Sequence, residues 1–223
     1  MSTITGLITY RSEEHPNLLW LEVKTKEGVI GLGETFFAAE AVEAYIHSNL
    51  APMVLGLPAE DIELVHHKSR PYVGFVGAGM ELRARSALDI ALWDALGKSV
   101  NLPLAILLGG RIRHQIPVYN TCAGNRYVRG PKVGSTDNFG LDKPVKQEEF
   151  DDLNSFLNDP VSLAASLLEM GIDSMKIWPF DYAAEATLGQ FIGPYELSKA
   201  LKPFELIKKK YGDKMQLSAE LHG

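Results

Sequence analysis

The residues with chemistry to offer lie in two short stretches. The first is Met215-Gln216-Leu217-Ser218-Ala219-Glu220-Leu221-His222, which alternates between apolar and polar parity. Period two is the signature of a strand with one apolar face. Glu220 and His222 then point the same way, roughly 6–7 Å apart at ~3.3 Å rise per residue. A carboxylate beside an imidazole at a strand's C-terminal end suits a metal ligand and a proton carrier. The second stretch repeats the plan: Met175 and Ile177 share one face, Lys176 and Trp178 the other. Strands that turn apolar side chains outward and ionisable ones inward suit a parallel barrel with its active site at the C-terminal mouth. On the residues alone, the reading that Glu220 and His222 merely hydrogen-bond each other inside such a barrel is the preferred one.

Composition bounds the partners. The 223 residues are 46% hydrophobic and 22% charged, with a formal net charge of −6. Nothing in that balance draws a phosphate backbone, so nucleic acid is not an expected partner. One cysteine, Cys122, excludes a disulfide framework and a cysteine-based zinc site. The start lacks the basic and apolar regions of a signal peptide, and no apolar run reaches ~18 residues. No membrane is expected, and the expected compartment is the cytoplasm.

The elements that must position these residues come in two parts. Residues 3–34 read as an antiparallel meander, with a turn at Lys26-Glu27-Gly28. Thr35-Phe36-Phe37 follows, read either as an aromatic edge under a helix or as a flap over a ligand. Helical patterns cover residues 39–55 (Val42, Tyr45, Ile46, Leu50) and 59–69 (Ile62, Leu64, Val65). His66 and His67 diverge by about 100° on a helix, so they cannot chelate one ion and read as surface. The glycine-rich loop 71–79 lacks the spacing of a phosphate cradle and reads as a loop near a substrate. The spacing of Leu88, Ala91, Leu92, Ala95 and Leu96 predicts a helix over 80–98. Its small residues Ala84, Ser86, Ala87 and Ala91 let a backbone come close, and Arg85–Asp89 and Asp94–Lys98 are pairs one turn apart. Residues 111–115 mark a boundary, giving parts at 1–115 and 116–223.

After it the grammar is strand, helix, strand, helix, strand. Residues 116–122 form the first strand, and 123–157 a long polar loop. That loop is either disordered or a source of Arg126, Tyr127, Arg129 and Lys132 for an anionic substrate. Asp159 as N-cap, Pro160 at the first position and Gly171 as stop predict a helix buried through Leu163, Ala164, Leu167, Leu168 and Met170. Residues 174–178 form the second strand, 179–193 a loop, and 194–211 a helix that Pro203 either kinks or delays. The stretch around Glu220 is the third strand.

Taken together these residues resemble a family. Ala84-Arg85-Ser86-Ala87-Leu88-Asp89-Ile90-Ala91-Leu92-Trp93-Asp94-Ala95-Leu96-Gly97-Lys98, Pro103-Leu104, Leu107-Leu108-Gly109-Gly110, Gly171-Ile172-Asp173-Ser174-Met175-Lys176 and Glu220-Leu221-His222 are similar to the mandelate racemase/muconate lactonizing enzymes of the enolase superfamily. The resemblance implies an α+β capping domain over 1–115. It implies the first three β/α units of a modified TIM (β/α) barrel over 116–223. It puts Glu220 at the first Mg²⁺-ligand position and His222 where acid-sugar dehydratases place a general acid. Lys176 falls at the first lysine of a K-x-K motif beside the substrate carboxylate, and Trp178 stands where the second lysine would be. That departure counts against a two-base racemase built on the missing lysine. The implied reaction removes the proton α to a carboxylate, with Mg²⁺ and Lys176 offsetting the enediolate charge and His222 protonating the departing hydroxyl.

The resemblance therefore implies a Mg²⁺-dependent lyase that eliminates water from a small sugar acid. A racemase or cycloisomerase of the same family is the alternative, as is a non-catalytic truncated product. A barrel of this kind has eight strands over ~250 residues. The expectation is thus the N-terminal part of a longer enzyme, a homo-oligomer when full length. The isolated piece would hold Mg²⁺ weakly and not turn over.

Overall fold

The structure is a computed structural model that describes residues 2–72, 78–124 and 151–221. The chain forms two compact units, residues 1–114 and 115–223.

The first unit starts with three antiparallel strands in the order β1-β2-β3: β1 Ile4–Tyr10, β2 Leu18–Thr25 and β3 Ile30–Phe36. The turn between β2 and β3 closes where Gly28 donates to the Thr25 carbonyl at 3.0 Å, with φ at +83°. Leu19, Leu21 and Val23 alternate along β2 and are fully buried. The long helix α4 (Met80–Val100) lies on β3. Gly31 and Gly33 make this possible: a Cβ on Gly31 would stand 1.9 Å from the Ala91 carbonyl oxygen, and one on Gly33 2.0 Å from that of Ala87. The close-approaching backbone expected from the small residues of this helix is β3.

Between strand and helix lies a segment that the sequence predicts as one helix. It has three parts, α1 (Ala39–Tyr45), a π-helical turn (Ile46–Leu50) and α2 (Ala51–Val54). Two features of the sequence favour the wide turn. Val42, Ile46, Leu50 and Val54 are all fully buried, four residues apart throughout. At 3.6 residues per turn that spacing would drift by ~40° per step, and a turn holding an extra residue takes up the drift. Pro52 adds to this, since it has no N–H for Ser48 and its ring would crowd that carbonyl in a regular helix. Helix α3 (Ile62–Ser69) starts later than predicted, and His66 and His67 are exposed on it. Of the two pairs expected on α4, Asp94–Lys98 forms at 2.6 Å. Arg85 instead is buried, and its Nε has no hydrogen-bond partner, so the expected contact with Asp89 does not form. A short helix, α5 (Leu104–Leu107), follows. The aromatic loop is anchored rather than open. The Phe36 and Phe37 rings lie 4.5 Å apart, and the Arg83 guanidinium sits 5.3 Å from each ring while donating to the Phe36 carbonyl at 2.7 Å.

The second unit contains α6 (Asp152–Asn158), α7 (Pro160–Glu169), β4 (Ser174–Ile177), α8 (Asp181–Thr187), α9 (Pro194–Tyr211) and β5 (Gln216–Ala219). β4 and β5 pair in parallel, with Lys176 opposite Ser218 and Ile177 opposite Ala219. The expected first strand is reduced to one residue, Asn120, bridged in parallel to Met175. Its bonds run through the Ser174 carbonyl and the Lys176 N–H, alternating with those that β5 uses, so Asn120 lies along the other edge of β4. The strand stops there because the Asn120 side chain takes the next donor: its Oδ1 accepts from the Cys122 N–H at 2.6 Å. Cys122 itself turns to φ +50°. This is an incomplete β/α barrel following an α+β capping domain. The core of this unit gathers Phe156, Leu163, Leu167, Met175, Ile177, Ile207 and Met215.

Two helices occupy stretches that the sequence reads as loops. The end of the first loop forms α6, capped by Asp151, which accepts from the Asn154 N–H at 2.8 Å. The second contains α8. Helix α7 keeps its expected Asp159 cap, Pro160 start and Gly171 stop. Met170, expected in its buried stripe, is exposed, because the helix ends at Glu169 and the chain turns away. Pro203 lies inside α9 without ending it.

Candidate active site

The parallel pairing of β4 and β5 carries Lys176 and Glu220, 44 residues apart in sequence, to one rim. The Glu220 N–H continues the ladder one residue past β5, donating to the Ile177 carbonyl at 2.9 Å. Its carboxylate then meets Lys176: Nζ donates to Oε2 at 2.7 Å, in an ion pair whose side chains are 22% and 30% exposed. Met175 and Ile177, the other parity of β4, are buried in the core. Lys176 is held above its ordinary 10.5, first by the hydrogen bond to Glu220 and then by Glu220's charge. It therefore stays an ammonium through neutral pH, a fixed positive charge rather than a base.

Tyr119, a residue that sequence reasoning did not single out, joins this pair. Its ring lies 5.4 Å from Lys176 Nζ, within reach of a cation–π contact. The signal for it was the alternation Val118-Tyr119-Asn120, but which parity faces Lys176 depends on the register fixed by the Asn120–Met175 bridge.

Trp178 sits differently from what its parity implies. β4 ends at Ile177, and Trp178 is 3% exposed, its ring 5.9 Å from that of Phe156. Its indole N–H donates to the Thr121 carbonyl at 3.0 Å. It ties the end of β4 to the segment after Asn120. Below it, Asn120 Nδ2 donates to Asp152 Oδ2 at 2.8 Å, and the Cys122 thiol is buried. Burial, with the Asp152 charge adding to it, pushes that thiol up to about 12. His222, the loop residues Arg126, Tyr127, Arg129 and Lys132, and most of the glycine-rich loop lie outside the described residues.

As a metal site, the donor set offers one hard carboxylate, the oxygen type that Mg²⁺ takes. No group of three His, Cys, Asp or Glu side chains gathers among the described residues. Glu220 thus fits as a single ligand.

Residues 7–109 match the profile of the mandelate racemase/muconate lactonizing enzyme N-terminal domain. Over those residues the chain is similar to the N-terminal domain of that family. Among curated relatives, a D-galactonate dehydratase of Variovorax paradoxus is 35% identical over 127 residues, 55% of this chain and 32% of the relative. A chloromuconate cycloisomerase of Cupriavidus pinatubonensis is 34% identical over 114 residues, 47% and 29% of the two lengths. Among solved structures, an enolase of the mandelate racemase subgroup from Agrobacterium tumefaciens is 44% identical with a TM-score of 0.79. The match covers 99% of this chain and 50% of that one, so the chain spans about half the length of that relative. No described helix is long and apolar enough to cross a membrane.

Proposed function

We propose that this chain supplies the capping domain, one metal ligand and one substrate-binding cation of an enzyme that removes the proton α to a carboxylate and eliminates water from a sugar acid. The observation that carries the reading is the Lys176–Glu220 contact, 2.7 Å across the rim formed by two parallel strands. Glu220 would hold Mg²⁺ through a carboxylate oxygen. When bound, that ion supplies positive charge against the second negative charge of the enolised carboxylate. Lys176, charged at neutral pH, binds and orients the substrate carboxylate and adds to the same electrostatic stabilisation. His222 protonates the leaving hydroxyl, a role suited to an imidazole titrating near neutrality. Trp178, buried with its N–H engaged by Thr121, holds the end of the strand that carries Lys176.

Dehydration is favoured by the relatives named D-galactonate dehydratase, at 35–38% identity. A cycloisomerase is the second reading, supported by the relative named chloromuconate cycloisomerase. The test is to incubate two purified proteins with Mg²⁺, a panel of sugar acids and muconates. One is the 223-residue chain; the other is the same chain extended by whatever sequence follows it in its genome. The extended protein is expected to form 2-keto-3-deoxy acids, and the chain alone no product. Lactone formation selects the second reading; absence of product from every sugar acid in the extended form overturns the first. In the active form, His222→Asn is expected to reduce water loss more than α-proton exchange, and equal loss of both removes the leaving-group role.

A further inference from the structure

Lys176 and any cation bound to Glu220 have a claim on the same oxygen. The ammonium stands 2.7 Å from Oε2, and a cation held through that oxygen would meet it there. Mg²⁺ binds carboxylate oxygens at about 2.0–2.1 Å, so the two positive charges would crowd one another at this oxygen. The ammonium has a second place to rest. Tyr119 lies beside the Asn120–Met175 bridge, and its ring face is 5.4 Å from Nζ. The backbone fixes both ends of that arrangement, because the Lys176 N–H donates to the Asn120 carbonyl at 2.8 Å. The ammonium can therefore shift from carboxylate to ring without its strand moving.

We propose that Lys176 is a resident counter-cation for Glu220, displaced when a divalent cation binds, and that Tyr119 is the positioning residue that receives it. This rests on the reading of Glu220 as a metal ligand. Two consequences follow from the geometry. Cation binding and the freeing of Lys176 for a substrate carboxylate are one event, so substrate binding is ordered after metal. The aromatic ring lowers the cost of that event, because the displaced ammonium keeps a favourable contact.

The experiment measures binding of Mn²⁺, a paramagnetic stand-in for Mg²⁺, to the extended protein of the preceding test by water-proton relaxation, with near-UV circular dichroism to check the fold of each variant. Lys176→Met is expected to bind Mn²⁺ about fivefold more tightly, the scale of a partly exposed ion pair. Lys176→Arg, which keeps the competing charge, is expected to stay within about twofold of the parent, since a factor of two is under ~0.5 kcal/mol. Lys98→Met removes a like charge elsewhere and is expected to leave the affinity alone, separating local competition from net charge. Tyr119→Leu is expected to weaken binding about twofold in the parent and not at all in Lys176→Met, because the ring acts only through the ammonium. Equal or weaker binding by a folded Lys176→Met, with Glu220→Gln abolishing it, overturns the counter-cation and leaves the metal reading standing. Binding that Glu220→Gln does not change, or no binding in any variant, overturns both.

Discussion

In the first unit strand meets helix backbone to backbone; in the second they meet through side chains. Gly31 and Gly33 bring β3 onto the Ala87 and Ala91 carbonyls of α4. β4 instead sends Met175 and Ile177 into a core shared with Leu163, Leu167 and Ile207. The two sheets also spend their polar residues differently. In the antiparallel meander these tie neighbouring strands together, as in Tyr10–Glu22 at 3.0 Å and Trp20–Glu34 at 2.8 Å. In the parallel pair the strands end at a common rim, and the ionisable groups there, Lys176 and Glu220, come from distant parts of the chain. Parallel ends gather chemistry, and antiparallel cross-strand pairs consume it in holding the sheet.

The comparison can be broken at four places. The largest effect is expected at Trp178. Trp178→Ala should destabilise by ~3–5 kcal/mol in urea unfolding and Trp178→Phe by ~1–3, the first losing most of the packing and the second part of it together with the bond to Thr121. Equal losses would mean that side-chain packing is not what holds the second unit. Next is Gly33→Ala, expected to cost ~1–3 kcal/mol because the added Cβ meets a carbonyl that cannot yield. Gly28→Ala, with strain at φ +83° but open space around it, should cost less, on the order of 1 kcal/mol. If the order reverses, close approach is not the function of the β3 glycines.

Third is the Cys122 thiol. Its value is raised from 9.0 to about 12, so the unfolded chain ionises first as pH rises. Its contribution is whole below pH 9.0 and is lost as pH climbs towards 12. Cys122→Ser should flatten that loss in denaturation curves taken across the window. A thiol reagent at pH 8 should react at the rate of unfolding. The smallest effect is the Lys176–Glu220 pair, at most ~1 kcal/mol for a partly exposed contact. With Lys176 raised above 10.5, that contribution is present below 10.5 and lost as pH passes the folded value. A Lys176→Met, Glu220→Gln double-mutant cycle measured at neutral pH and again above pH 11 should show the coupling shrink.

What the sequence made legible follows from which forces are local. The stripe of α4, the Asp159 cap and the Gly171 stop are each written within one or two turns, and all three appear in the structure. Lys176 and Glu220 could be read onto one rim because parity within each strand is local and parallel strands share a direction. The first strand could not be read. Residues 116–122 have strand-like composition, but the Asn120 side chain competes with the ladder for the Cys122 N–H, and composition does not weigh that competition. Trp178 departs from its parity for a related reason: the strand stops one residue earlier, at Ile177, and the indole finds Thr121 and Phe156. Helix α6 lies in a polar segment whose Asp151 cap outweighs weak periodicity, whereas α8 forms without a side-chain cap.

The wide turn at Ile46–Leu50 leaves a trace that outlasts this one chain. A loop of five rather than four residues closes there, so the helix carries one more amino acid than its length requires. A homologue that lost the surplus amino acid would keep both flanking segments and lose the apolar ladder's strict interval of four. Aligned beside this chain, it would open a single-position gap near His47, with the interval shortened to three at one step.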